Sequence, residues 1–238
     1  VLAHVPNLND FVAGLSAVLA PEGVVTVEFP HLLQLVAQHQ FDTIYHEHFS
    51  YFSFHTAQRV FAAHGLRIWD VEGLATHGGS LRLWACRDDA MHRETPAVAA
   101  LLAKESMAGM QSMGFYKSFQ PLADGIKNDF LAFLIDAKRD GKQVVGYGAA
   151  AKGNTLLNYA GVRPDLLGYV VDASPHKQSR HLPGSRIPVV AEARIRETRP
   201  DYVVILPWNM RDEITAQLAY IREWGGKFVT AVPQLVVA

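Results

Sequence analysis

The chain has 238 residues, 49% of them hydrophobic, with 22 Lys and Arg against 23 Asp and Glu for a formal net charge of −1. That length implies one or two domains with a sizeable core, and the near-neutral balance excludes a general affinity for nucleic acid or anionic membrane. Charges, Gly or Pro interrupt every apolar run short of a bilayer span, no signal peptide or anchor is visible, and the single Cys86 excludes an internal disulfide; a cytoplasmic, reducing setting is expected.

Val1 to Pro6 reads as the end of a strand running into a helix. Leu8, Phe11, Val12, Leu15, Val18 and Leu19 recur at helical spacing, and Pro21-Glu22-Gly23 ends that helix. Gly23–Phe29 reads as a buried strand stopped by Pro30, and Leu32–Gln38 as a short helix. Ser53 is placed to cap a helix beginning at Thr56 and ended by Gly65. Strands are expected at Leu66–Leu74 and Ser80–Arg87, joined by a turn whose Gly78 and Gly79 permit positive φ.

From about Thr95 to Arg139 the chain is helix-prone and amphipathic, with a break expected around Gly114–Pro121. Met107, Met110 and Met113 recur every third residue and read as core. A second α/β pattern starts at Lys142. Strands at Gln143–Tyr147, Leu167–Val171, Ile187–Val190, Tyr202–Leu206 and Lys227–Val232 alternate with helices, the last of these spanning Met210–Trp224, which implies a parallel, Rossmann-like sheet. The expected organisation is therefore α/β: the back half of a Rossmann-like sheet over 1–90, a helical connector over 91–141, and a second Rossmann-like domain over 142–238.

The stretch from Tyr45 to His55 concentrates three histidines, a glutamate and two tyrosines among aromatics, groups that exchange protons near pH 7 beside apolar surface. A zinc site built on His46, Glu47 and His48, with His55 or His77, is not expected, because neither an HExxH helix nor a cysteine cluster is present. The second candidate is the loop after Gln143, with glycines at 146, 148 and 153 and Lys152 between. Its backbone can approach a phosphate at a helix start. It is not a Walker A loop, and its spacing departs from GxGxxG. Asp172 lies about 24 residues past Gly148, where a ribose-binding acid would fall. Lys177, Arg180, His181 and Arg186 crowd the loop 174–185, as either a solvated basic surface or a clamp on phosphates. On these residues alone a nicotinamide site, a nucleotide-diphosphate site and a structural relic all stay open.

Several strings together resemble one family: Leu2-Ala3-His4-Val5-Pro6, Tyr45-His46-Glu47-His48-Phe49-Ser50, Thr76-His77-Gly78-Gly79-Ser80-Leu81-Arg82, the run Gly146 to Thr155, and Leu206-Pro207-Trp208-Asn209. The chain is similar over nearly its whole length to the nucleotide-diphospho-hexose C-methyltransferases, S-adenosylmethionine-dependent enzymes acting on keto-sugars. The resemblance implies a donor-binding domain followed by one that helps hold the sugar nucleotide. Family members also carry a cysteine-rich zinc-binding segment and a glycine-rich donor-binding strand. This sequence shows neither, so the S-adenosylmethionine site is expected mostly upstream of Val1, donor binding by this chain is expected to be poor, and the strand at Gly23–Phe29 is expected beside an open position.

Methylating carbon requires a carbanion, which a neighbouring ketone makes accessible. His48 is the expected base, with His4 the alternative; Glu47 would orient an imidazole or hold a sugar substituent, and Tyr45 would hydrogen-bond the keto oxygen. Substrate contacts are expected from His77, Ser80, Arg82, Tyr147, Lys152, Asn154, Lys177 and Arg180, and the partner is a nucleotide-diphosphate keto-sugar. The competing classes are an NAD(P)-dependent sugar-nucleotide oxidoreductase and a non-catalytic nucleotide-sugar-binding fragment.

Overall fold

The computed structural model describes all 238 residues. They form two units. One comprises Val1–Gln38 and His46–Phe119, the other His39–Tyr45 and Gln120–Ala238. The helical stretch 91–141 is thus shared between them, and the segment His39–Tyr45, which leads into the histidine-rich run and includes its first residue, belongs with the C-terminal half.

The first unit opens with a 3-10 turn at Leu2–His4, where a strand end was expected, followed by α1 (Leu8–Val18), whose Asn7 side chain accepts the Asp10 N–H at 3.2 Å. β1 (Val25–Pro30) leads into α2 (Leu32–Ala37); α3 (Phe54–Ala62), β2 (Leu66–Leu74), β3 (Ser80–Arg87), α4 (Pro96–Met107) and α5 (Met113–Lys117) follow. β3 lies between β1 and β2 and is antiparallel to both, so β1 and β2 run parallel to one another with a reversed strand inserted. β1 therefore pairs on one side only. Its expected full burial is not found: only Phe29 is buried, as suits a strand at a sheet edge, where the terminal Pro30 is also tolerated. Phe29, Phe54, Phe61, Leu66, Leu83 and Val98 anchor the core on which α1, α3 and α4 pack.

The methionine expectation fails for a geometric reason. α4 ends at Met107 and Gly109 turns the chain at φ +80°, so the three-residue spacing no longer describes one helical face. Met110 is buried, whereas Met107 and Met113 are 88% and 73% exposed. The helical stretch is thus interrupted twice, over 108–112 and at Ser118 within the expected interval, and Pro121 sits in the first turn of the next helix, where a missing N–H costs nothing.

The second unit contains all but the first residue of α6 (Phe119–Arg139), which buries Ala123, Ile126, Phe130, Leu134 and Ala137 at helical spacing. Then come β4 (Val144–Tyr147), α7 (Ala151–Tyr159), β5 (Val170–Val171), β6 (Arg180–His181), β7 (Pro188–Val190), α8 (Ala193–Thr198), β8 (Tyr202–Ile205), α9 (Arg211–Gln217), β9 (Lys227–Thr230) and β10 (Val236–Val237). The expected helix to Trp224 instead ends at Gln217 and continues as 3-10 turns. The strand order is β10-β9-β8-β4-β5-β7-β6; the five central strands are parallel and each edge strand is antiparallel. From β4 the chain builds outward to β5 and β7, then crosses back to β8 and β9. The reversal falls between β4 and β8, the crevice where open α/β sheets hold ligands.

Candidate functional site

In the first unit the histidine-rich run is a loop pinned at both ends. Ala3 O accepts the N–H groups of Phe49 at 2.8 Å and Ser50 at 3.3 Å, which holds the loop on the turn that carries His4. The His48 ring consequently lies 5.0 Å from that of His4, centroid to centroid, and meets Tyr51 edge-on at 5.9 Å. Burial lowers the His4 pKa, the nearby His48 adds to that, and Glu47 opposes it. Both expected bases are thus side by side. Glu47, expected to orient an imidazole, has its Oε1 3.9 Å from His46 Nε2, and both side chains are exposed. Tyr45 is half-buried and ends the segment assigned to the second unit.

Downstream, Ser53 Oγ accepts the Thr56 N–H at 3.0 Å, the expected cap, although α3 already begins at Phe54. A second cap was not legible in the sequence. Glu105, buried on α4, accepts the N–H groups of Phe54 at 2.6 Å and His55 at 2.9 Å, and meets buried His31 Nε2 at 2.7 Å. Burial alone would raise the Glu105 pKa; the His31 bond and the two N–H donors overcome it and leave the group lowered. His31 also donates its backbone N–H to Gly79 O at 3.0 Å and bridges to Phe52. The pair therefore ties the exit of the His48 loop to the β2–β3 turn. No sequence signal connects two residues 74 positions apart.

On that turn His77 is exposed with φ +56°, and buried Ser80 donates to Thr76 O at 3.1 Å. Arg82 is flanked by its cross-strand neighbours Glu28, at 3.2 Å, and Glu72, at 3.7 Å. A cleft of about 450 Å³ beside the turn is lined by His31, Gln34, Gly79, Ser80, Leu101 and Lys104 among others.

In the second unit, three glycines make the β4–α7 turn compact. A Cβ on Gly146 would lie 2.8 Å from Val170, one on Gly148 2.6 Å from Pro207, and one on Gly153 2.8 Å from Leu206; Gly148 also has φ +88°. The turn is thereby held against the end of β8, and α7 starts without a side-chain cap. Lys152 donates to Asn209 Oδ1 at 2.9 Å, and its Nζ stands 4.3 Å over the Trp208 ring. Burial lowers the Lys152 pKa, opposed by Asp42. Asn154 Oδ1 is buried with no hydrogen-bond partner.

Asp42, absent from any sequence-based site, closes this group. It is 1% exposed on the segment 39–45, and its Oδ2 accepts the Trp208 indole N–H at 2.7 Å while Oδ1 is buried and unpartnered. Burial pushes its pKa up to about 6, against the pull of Trp208 and Lys152. Contact between the Phe41 and Tyr159 rings, tilted at 57° with centroids 5.5 Å apart, fixes the same segment on α7.

Asp172, the expected ribose acid, is committed within the protein. Oδ2 accepts the Ala149 N–H at 2.8 Å and Lys177 Nζ at 3.1 Å, and Oδ1 accepts the Ser174 N–H at 2.9 Å. Arg180 is exposed and donates to His176 O at 2.9 Å. Tyr147 points to the α8–α9 side, where its hydroxyl lies 3.2 Å from Glu192 and accepts from Gln217 at 2.8 Å; burial leads in raising its pKa to about 12.

The groups held by ligand-binding crevices of open parallel sheets are thus gathered here: a glycine turn, an uncapped helix start and a lysine at a strand-order reversal. The sequence pattern of the C-methyltransferase C-terminal domain matches residues 75–233, and the chain belongs to that family. It is also 38% identical over 232 residues to the C-methyltransferase NovU of Streptomyces niveus, an alignment taking in 98% of this chain and 55% of the relative. The chain therefore spans about half the length of that curated relative. None of its helices is long and apolar enough to cross a membrane.

Proposed function

We propose that the chain supplies the proton-transfer loop and the sugar-nucleotide site of an S-adenosylmethionine-dependent C-methyltransferase acting on a nucleotide-linked keto-deoxysugar. The observation that carries this reading is the convergence of Lys152, Trp208, Asn209 and the uncapped start of α7 at the β4/β8 reversal, in a member of the C-methyltransferase family. A diphosphate suits a partly buried ammonium beside free backbone N–H groups. Lys177 and Arg180, on the loop that follows the neighbouring strand β5, would extend the positive surface along the phosphates. Asn154 would direct its unpartnered oxygen at a donor on the ligand.

His48 would remove the proton next to the sugar ketone, a step suited to a neutral imidazole near pH 7. Tyr45 would donate to the oxygen as enolate charge develops, and Glu47 would hold a sugar hydroxyl. His4, packed on His48, would keep that imidazole in place. His77, Ser80 and Arg82 would border the sugar from the β2–β3 turn.

S-Adenosylmethionine supplies an electrophilic methyl group when bound. The first unit does not present the features that hold it: its strand-to-helix turn, Pro30-His31, carries no glycine, and β3 is antiparallel to both of its neighbours. Its residues are therefore assigned no role in methyl transfer itself. A nicotinamide site is disfavoured because both Asp172 oxygens are occupied. Calorimetry with a thymidine diphosphate sugar, NAD and S-adenosylhomocysteine tests the proposal: binding of the sugar nucleotide alone supports it, and binding of NAD in its place overturns it.

A further inference from the structure

The Asp42 carboxyl is among the most buried polar groups in the protein, yet it belongs to no element of the sheet, and its side-chain donor is neutral, the Trp208 indole. A carboxylate in such surroundings is costly unless it is matched by charge. Lys152 on α7 is the charged group that acts on it; Trp208, after β8, is the neutral donor, and His39 and Tyr45 are the titratable groups on its own segment. The same indole that binds Asp42 by its edge carries the Lys152 ammonium on its face. An anionic acceptor at the N–H enriches the ring and strengthens its hold on a cation. Asp42, Trp208 and Lys152 thus form a relay in which the carboxyl fixes the ring and the ring seats the lysine.

Resting on the sugar-nucleotide reading above, we infer that Asp42 is a positioning residue: it sets Trp208 and Lys152 for a diphosphate and takes a proton from solvent when the lysine's charge turns to the ligand. The relay has two consequences. Drawing the ammonium toward phosphate removes the one cation that favours the ionised carboxyl, so ligand binding and proton uptake are linked. Asp42 also lies on the segment ending at Tyr45, immediately before His46, so the nucleotide site and the histidine loop share a continuous piece of chain.

Two measurements on this chain test the inference. In free, ¹⁵N-labelled protein the Trp208 indole N–H signal, assigned through Trp208→Phe, should titrate with a midpoint near pH 6. That titration should vanish in Asp42→Asn, which still offers the indole an oxygen. In calorimetry with thymidine diphosphate near pH 7, run in buffers of differing ionisation enthalpy, the wild type should take up a fraction of a proton and Asp42→Asn none. Asp42→Ala, which releases the indole, should weaken thymidine diphosphate binding about tenfold, the loss expected for a hydrogen bond to a charged group. An indole signal indifferent to Asp42→Asn overturns the positioning role. Binding without proton uptake overturns the linkage. Failure of the wild type to bind thymidine diphosphate, with the indole titration intact, overturns the nucleotide reading and the ligand-linked step with it, so the failures are distinguishable.

Discussion

The His48 ring stands 5.0 Å from the His4 ring, held there because Ala3 O accepts the N–H groups of Phe49 and Ser50. Burial leads in lowering the His4 pKa, and His48 contributes to that lowering. His48→Asn removes this contribution. The His4 pKa should then rise toward its ordinary value, as read from the pH dependence of its ring signals in NMR. An unmoved His4 titration would show that the rings do not interact in solution.

Lys152→Met should weaken binding of a thymidine diphosphate sugar at least tenfold and reduce the salt dependence of what remains. Affinity for S-adenosylhomocysteine, whatever its size in this chain, should not change. Lys152→Arg should not restore full affinity, because the planar guanidinium cannot reproduce a point charge 4.3 Å above Trp208 with a bond to Asn209. Unaltered sugar-nucleotide affinity in Lys152→Met would remove the lysine from the site.

Asp42 also governs a pH dependence of stability. Its folded pKa, about 6, lies above its ordinary value of 3.8, so the native state holds the proton that the unfolded chain has released. Stability is lost as pH rises through the window from 3.8 to 6, and the ionised carboxyl leaves a penalty of up to about 3 kcal/mol above it. Relative to wild type, Asp42→Asn should gain stability between pH 4 and pH 7 in urea unfolding. A difference independent of pH would place the Asp42 pKa near normal.

Glu105 behaves oppositely. Its pKa is lowered, so its contribution is present above the ordinary carboxylate value and disappears as pH falls through the folded one. Glu105→Ala leaves His31 and the Phe54 and His55 N–H groups without their acceptor, and should cost about 3–5 kcal/mol near neutral pH. The cost should shrink in acid. A loss below about 1 kcal/mol would mean that water replaces the carboxylate.

These two carboxylates show where sequence reading stops. Local signals were sufficient for the Ser53 cap, the Gly78–Gly79 turn, β2 and β3, and the alternation that builds the second sheet, since each depends on residues a few positions apart. Asp42 meets Trp208 across 166 positions and Glu105 meets His31 across 74, and no periodicity encodes such pairings. The methionine stripe misled because spacing presumes a continuous helix, and Gly109 ends it. Asp172 directly follows β5, but only the fold reveals that backbone N–H groups and Lys177 already use the oxygens of this expected ribose acid.

In the proposed reaction His48 takes the proton next to the sugar ketone. The most direct test is exchange of that carbon-bound hydrogen for deuterium in a thymidine diphosphate keto-sugar, incubated with this chain in D₂O without a methyl donor. Exchange is expected with the wild type, with a fall of roughly 10²-fold or more in His48→Asn, the usual scale for losing a general base, and no change in sugar-nucleotide affinity. Exchange at the wild-type rate in His48→Asn would contradict it.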